Sequence, residues 1–293
     1  MTTVYGYIRF SFFGRNDTRI ARRIQDEEQR FKVLYDPKRM EERFYLFENI
    51  TLPSIKAQSD QDFKVLVVSS KVMPEEYQRR LNKAVADIPQ IEVIYSDAEH
   101  ITHELNPRIA DMTAGISQKT AHFRLDDDDA ICADTVKTLR WTKRHARNNE
   151  LISFPRGLYL TMVDGEPKII RKFAPYIAIA WAYVNLPGQV RNPYQGIHNQ
   201  AHWHIPSMLD PRPWAYIHVA HESQDSKIKQ SQKLEGAEAF DPSYDTPEAR
   251  AEIDQIVREH FPSFTGDGLR DIIASAPGQK KRLLDPQRLL AAG

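Results

Sequence analysis

Along the first half of the chain, short dense apolar runs alternate with stretches where apolar residues recur every three or four positions. Residues 4–10, VYGYIRF, are aromatic and β-branched and predict a strand, with Gly6 its one weak position. Residues 15–30 are charged and predict a surface loop or helix. Met40, Phe44, Phe47 and Thr51 then fall at helical spacing, with Pro53 placed to kink or restart that helix. FKVLVVSS (63–70) is nearly continuous in apolar character, the pattern of a strand covered on both faces. Residues 73–88 predict a helix, Pro74 suiting its first turn and Glu75 and Glu76 its positive end. IEVIYSD (91–97) predicts a strand, part of 107–119 a helix, HFRL (122–125) a strand and 135–145 a helix. Strand and helix alternating in this way predict an α/β domain with a mostly parallel sheet flanked by helices.

After residue 150 the texture changes. Residues 151–173 predict a hairpin turning at Asp164-Gly165, and 173–186 a further strand or strand pair. A histidine-rich stretch, YQGIHNQAHWHIPSML, comes next. Residues 222–248 are polar and predict a mobile loop; 248–293 carry two short helical patterns and a basic tail. The expectation is one domain over 1–230, with antiparallel and helical additions and a C-terminal extension, 231–293, packed on it.

Composition narrows the function classes. Lys+Arg and Asp+Glu balance at 40 each, so the chain lacks the basic excess of a nucleic-acid binder. The single cysteine, Cys132, excludes a disulfide framework and a cysteine-based zinc site. No apolar run is long enough to span a bilayer and the N-terminus makes a poor signal peptide. The expectation is a cytoplasmic protein whose membrane contact is at most peripheral, through the basic tail.

One stretch breaks the ordinary rules of charge placement. In RLDDDDAI (124–131) four carboxylates sit side by side, directly after a predicted strand and before Ala130-Ile131-Cys132. In parallel sheets ligands bind at the carboxyl ends of strands, which is where Asp126–Asp129 fall. A hard divalent cation, Mg²⁺ or Mn²⁺, takes carboxylate oxygens and substrate phosphates together and would offset the repulsion. In an extended chain Asp126 and Asp128 share one face and Asp127 and Asp129 the other, unless a turn starts there. The spacing and glycine of an EF-hand are missing, which disfavours a calcium loop.

TLPSIKAQSDQDFKVLVVSS (51–70), followed by a strand ending in RLDDDDAI, resembles inverting glycosyltransferases of the GT-A fold. RFSFFGR, MEERFYLFENITLPSIKAQSDQDF, RLDDDDAI and HESQDS together resemble the rhamnosyltransferase family, over roughly residues 4–230. The resemblance implies a Rossmann-like GT-A domain that moves a sugar from a nucleotide sugar to a hydroxyl of a glycan or lipid-linked acceptor. It implies a D-x-D motif at Asp126 and Asp128, with Asp129 beside it, holding a divalent cation against the donor's diphosphate. It implies a further ligand, for which His221 is the candidate and His218 the competitor. Many relatives end the second strand in an aspartate; here Ser69 and Ser70 stand there. With Arg9, Ser11, Arg124, Asp126 and Asp127 they make up the candidate donor-nucleotide side. An inverting transfer needs a general base, for which Asp164 and His198 are the candidates. Trp181, Trp203, Trp214, Tyr183 and Tyr216 are candidates for an acceptor groove, since aromatic faces stack on sugars. The rival readings are a metal-dependent nucleotidyltransferase, which lacks a glycine-rich phosphate loop here, and a non-catalytic glycan- or metal-binding module.

Overall fold

The first strand, β1 (Val4–Arg9), has no exposed residue. Its neighbours explain why. It lies between β2 (Lys64–Ser70) and β4 (Thr120–Leu125), parallel to both. A computed structural model describes residues 2–14, 24–147, 149–163, 165–195, 198–221 and 246–277. With β3 (Ile91–Ser96), β6 (Leu151–Ser153), β9 (Ala182–Asn185) and β10 (Ser207–Leu209) these strands form a seven-stranded sheet, ordered β10-β6-β9-β4-β1-β2-β3. Every pairing is parallel except those of β9. Gly6 is required rather than merely tolerated: a Cβ there would stand 2.5 Å from the Phe123 ring on β4.

The predicted strands and helices of the first half are present, with shifted bounds. Helix α1 spans Glu27–Leu34, capped by Asp26; residues 15–23 of the charged stretch lie outside the described residues. Helix α2 (Pro37–Leu46) is capped by Asp36 and has Pro37 in its first turn. At Pro53 the helix restarts, as expected: a π-helical turn, Phe47–Thr51, leads directly into α3 (Leu52–Lys56), with Pro53 in its first turn. Helix α4 covers Glu75–Val85 and α5 covers Ile101–Thr113. Helix α5 includes 107–113 of the expected stretch and starts earlier, at Ile101. Pro107 lies inside it, where its local cost is met by Ile101, Leu105 and Ile109 packing on the sheet. Helix α6 is Thr135–His145.

The hairpin lies where the pattern put it, as β7 (Arg156–Val163) against β8 (Glu166–Phe173), but β6 belongs to the large sheet. With β5 (Ala130–Ile131) and β11 (Tyr216–Val219) the hairpin makes a four-stranded sheet, ordered β5-β11-β7-β8. Of 173–186 only Ala182–Asn185 is a strand of its own; Phe173 closes β8 and the rest is a loop. Helices α7 (Pro247–His260) and α8 (Gly266–Ser275) bury Ile253, Val257, Leu269 and Ile273 against Leu158, Leu160 and Val219 of the smaller sheet. Residues 222–245, expected as a mobile loop, and 278–293, the basic tail, lie outside the described residues. Among the described residues no helix is long and apolar enough to cross a membrane.

The fold places the acidic run at the junction of the two sheets. β4 ends at Leu125, the chain turns over Asp126–Asp129, and β5 begins at Ala130 in the other sheet. Gln58, the last residue of TLPSIKAQ, locks that junction. Its side-chain amide donates to the carbonyls of Ser54 (2.9 Å) and Cys132 (2.8 Å), and its oxygen accepts from the Val136 N–H at 3.0 Å. Gln58 is 3 % exposed, and these bonds satisfy an otherwise costly buried amide.

Candidate active site

Four adjacent carboxylates can be buried only if each finds its own partner. Asp127, Asp128 and Asp129 are 1 %, 6 % and 3 % exposed, so none is relieved by solvent. The chain turns at 127–128, with Asp129 N–H reaching back to the Asp126 carbonyl at 3.3 Å. The side chains therefore fan out to different sides of the junction, instead of alternating as along a strand.

Asp126 points to the carboxyl edge of the large sheet. Arg124 donates to both its oxygens, at 2.9 and 3.0 Å. The Arg124 guanidinium also lies 4.8 Å over the ring of Tyr194, with Arg9 at 5.4 Å from the same ring. Two strand-end arginines and Asp126 thus surround one tyrosine, whose hydroxyl donates to the Tyr7 carbonyl at 3.3 Å. Burial and the adjacent Asp126 act on Arg124 in opposite directions, and the carboxylate prevails in holding it charged.

Asp127 points into α2. Arg43 grips it in bidentate fashion, Nε to Oδ2 at 3.0 Å and Nη2 to Oδ1. Burial nonetheless outweighs the guanidinium, and the Asp127 carboxyl is pushed up to about 6. Arg43 also lies 3.8 Å from Asp128.

Asp128 meets His221. The imidazole Nε2 is 2.6 Å from Asp128 Oδ2, while its Nδ1 is 3.2 Å from Glu42 Oε1. Burial disfavours charge on both members of the pair. For His221 the two carboxylates outweigh it and raise the imidazole; for Asp128 the partners His221 and Arg43 hold the carboxyl well below the usual range. His218, three residues earlier, turns elsewhere: its Nδ1 is 2.7 Å from Lys172 Nζ and its ring packs on Tyr159. Asp129 accepts the Val219 N–H at 2.9 Å, tying the acidic turn to β11. Its carboxyl is raised well above the usual range by burial and by Asp128 and Asp126.

Glu42 and Arg43 were not singled out from the sequence, yet they complete the site. A signal was present: Met40, Arg43, Phe44 and Phe47 share the buried stripe of α2 and its continuation, and an arginine on that stripe demands an anionic partner. Gln58 and Tyr194 were also missed, because their partners are distant in the chain.

The remaining candidates separate. Ser11 holds a positive φ of 44° at the end of β1; its hydroxyl accepts from Arg39 at 3.1 Å, and its carbonyl accepts from Tyr35 at 3.1 Å. Ser70 accepts the Phe13 N–H at 2.7 Å. Ser69 is fully buried and its hydroxyl is directed at Met73 sulfur, 3.4 Å away. Ser11 and Ser70 thus shape one corner, with the aromatic rings of Phe13, Phe31 and Tyr35 packed beside it. Asp164 lies outside the described residues. His198 opens a 3₁₀ turn, His198–Trp203, and its side chain also lies outside the described part. Of the expected aromatic groove, Trp181, Tyr183 and Tyr216 are core residues, buried in packed clusters. Trp214 lies under Arg156, and Trp203 alone among these five is exposed, at 66 %.

Among the described residues no three histidine, cysteine or carboxylate side chains make a ready cage for a metal ion. The donor set suits a different arrangement. Asp128 and His221 offer one oxygen and one nitrogen side by side, and Glu42 backs His221 as carboxylates commonly back ligating imidazoles. A cation bound by one or two protein groups and completed by substrate phosphates needs no more than that.

Three comparisons bear on the chain. A family model described as "Putative rhamnosyl transferase" matches residues 3–233. No curated protein matches. Among solved structures, S. aureus TarS 1-349 aligns at 10% identity and a TM-score of 0.34, covering 92% of this chain and 69% of that one. The same protein in complex with UDP-GlcNAc aligns at 11% identity and a TM-score of 0.37, covering 94% and 72%. A "putative nucleotide-diphospho-sugar transferase" from Desulfovibrio desulfuricans G20 aligns at 8% identity and a TM-score of 0.33, covering 88% and 98%.

Proposed function

Since this chain belongs to the rhamnosyl transferase family and is a glycosyltransferase, we propose that it takes a nucleotide sugar as donor and transfers the sugar with inversion. The observation that carries the reading is the acidic turn at the carboxyl end of β4, with Asp128, His221 and Glu42 in one buried line. In the proposed reaction an acceptor hydroxyl oxygen forms a bond to the anomeric carbon. The bond from that carbon to the donor's phosphate oxygen breaks, and the nucleoside diphosphate leaves with the electron pair. The hydroxyl proton passes to a general base, for which Asp164 and His198 remain the candidates.

Asp128 and His221 are the residues that would hold a divalent cation, Mn²⁺ or Mg²⁺, with Asp126 the more accessible carboxylate at the rim. Such a cation offsets negative charge as it builds on a departing diphosphate. The chain's own groups do the rest. Arg43 keeps Asp127 folded back into α2, so that Asp128 and not Asp127 faces His221. Asp129 anchors the turn to β11. Ser11 and Ser70, with Phe13 and Phe31, form the corner proposed to receive the nucleoside, and Arg9 and Arg124 face the phosphate side.

Titration calorimetry of the full chain with dTDP, UDP and GDP, each with MnCl₂ or with EDTA, tests this. One nucleotide should bind, and only with the metal. No binding of any nucleotide refutes the donor assignment. Equal binding in EDTA refutes the cation and leaves charge neutralisation to Arg9 and Arg124, as in the arrangement already present around Tyr194.

A further inference from the structure

The loop between β8 and β9 carries Tyr176, which packs on His202 of the 3₁₀ turn His198–Trp203, and the end of this loop runs beside the acidic turn. Its polypeptide is tied to that turn directly: Ala180 N–H donates to the Arg124 carbonyl at 2.9 Å, and Arg124 N–H donates to the Trp181 carbonyl at 3.0 Å. Arg124 is two residues before Asp126. Within this loop Tyr176 and Ala180 both hold left-handed backbone, at φ 60° and 57°, although neither is glycine. Non-glycine residues in that region are costly, and such cost collects where a segment must be held in one shape for binding.

That shape sets the Tyr176 ring flat against His202, with ring centroids 4.2 Å apart and planes inclined by 9°. The Tyr176 hydroxyl meets Ser207 at 3.0 Å and its N–H donates to Ser153 at 2.9 Å, which fixes the ring. Trp203 stands edge-on to His202, at 5.8 Å and 65°. Its 66 % exposure is the highest among the exposed large apolar side chains of the described residues. Trp141, the other half-exposed tryptophan, has its ring packed by His145 and Arg212, whereas the ring neighbour of Trp203 is His202. Finally, His202 Nδ1 is buried without a hydrogen-bond partner among the described residues, an orphan that native structures rarely leave.

An open indole face with a rigid stacked pair beneath it matches the chemistry of a saccharide. Sugar rings present an apolar C–H face for stacking and hydroxyls at the rim for hydrogen bonds. We propose that Tyr176, His202 and Trp203 form the subsite for the acceptor sugar, Trp203 stacking on its C–H face and the Tyr176–His202 stack holding the shelf in place. The assignment to an acceptor rests on the transferase reading; the sugar-binding shelf itself does not.

The experiment is saturation-transfer NMR on the full chain with the methyl glycosides of rhamnose, glucose, galactose and N-acetylglucosamine. It is run on the wild type, Trp203→Ala and His202→Ala, with nucleotide affinity measured on each protein by calorimetry. Trp203 is exposed, so its replacement leaves the core intact. At least one glycoside should bind the wild type and bind Trp203→Ala about tenfold or more weakly, with nucleotide affinity unchanged; a tenfold loss corresponds to about 1.4 kcal/mol. Equal binding to wild type and Trp203→Ala, or no glycoside bound by the wild type, overturns the proposal. A parallel fall in nucleotide affinity overturns it too, by assigning Trp203 to the donor side or to the fold. Sugar binding lost in Trp203→Ala in a protein that binds no nucleotide sinks the nucleotide-donor reading and leaves the shelf as a sugar site.

Discussion

Replacing Arg43 by methionine removes the cation that holds Asp127 and leaves its carboxylate at 1 % exposure with no bidentate partner. An exposed ion pair would contribute at most about 1 kcal/mol. This one is buried on both sides, the side chains being 9 % and 1 % exposed, so the relevant magnitude is that of an uncompensated buried charge, about 3–5 kcal/mol. With a urea dependence of about 3 kcal/mol/M, the unfolding midpoint should fall by roughly 1–1.7 M. The companion variants decide the cause. Asp127→Leu alone takes away the bidentate partner but leaves Asp128 at 3.8 Å from the guanidinium, so it should cost less than Arg43→Met. Arg43→Met with Asp127→Leu restores an apolar pair and should recover most of the loss, giving a coupling energy of several kcal/mol in a double-mutant cycle. The pH dependence has a definite sign. Asp127 is already raised to about 6, above its value in the unfolded chain, and loses its lowering partner in Arg43→Met. Its folded form then binds a proton that the unfolded form does not, so the penalty should shrink as pH falls from 7 toward 5. A loss under about 1 kcal/mol, or a double variant as unstable as the sum of the singles, would refute the reasoning.

Three further outcomes rest on other elements. His122 is fully buried between Tyr5 and Tyr7, bonded to Tyr7 and Thr120, and burial pushes its imidazole down to about 3. Its folded value lies below the unfolded one, so it costs stability as pH falls from about 6.5 toward 3; urea unfolding of wild type and His122→Gln should diverge over that window by up to about 5 kcal/mol, and parallel curves would remove the assignment. Gln58→Leu strands the Cys132 carbonyl and the Val136 N–H and should destabilise by about 2–4 kcal/mol in denaturant titration; a change within about 0.5 kcal/mol would show that the junction closes without it. Asp128→Ala and His221→Ala should each abolish Mn²⁺-dependent nucleotide binding in calorimetry while His218→Ala leaves it within about twofold, since His218 is turned to Lys172; the reverse order would exchange the two histidines.

Much of this molecule was legible in the chain itself. Runs such as FKVLVVSS can be satisfied only by cover on both faces, and their alternation with amphipathic helices leaves a mostly parallel sheet as the solution. The acidic run was marked as a site because four adjacent carboxylates carry a repulsion that local structure cannot relieve, and its place after a strand put it at the sheet's carboxyl end. Pro53 marked a real irregularity, since a π-turn precedes it and a new helix starts there; the early start of α5 was hidden, because Pro107 lies inside that helix and only a packed apolar face keeps it continuous. What only tertiary structure decided was the partner of each charge. Arg43 is 84 positions from Asp127 and His221 is 93 from Asp128, and no periodicity links them. Likewise the five aromatic residues between 181 and 216 look alike in sequence, yet the pairing of β9 with β4 and β6 buries Trp181 and Tyr183 and leaves Trp203 open. Periodic burial is a local property and can be read locally. Charge pairing and exposure depend on which distant segments the fold brings together, so they are settled only when the two sheets meet.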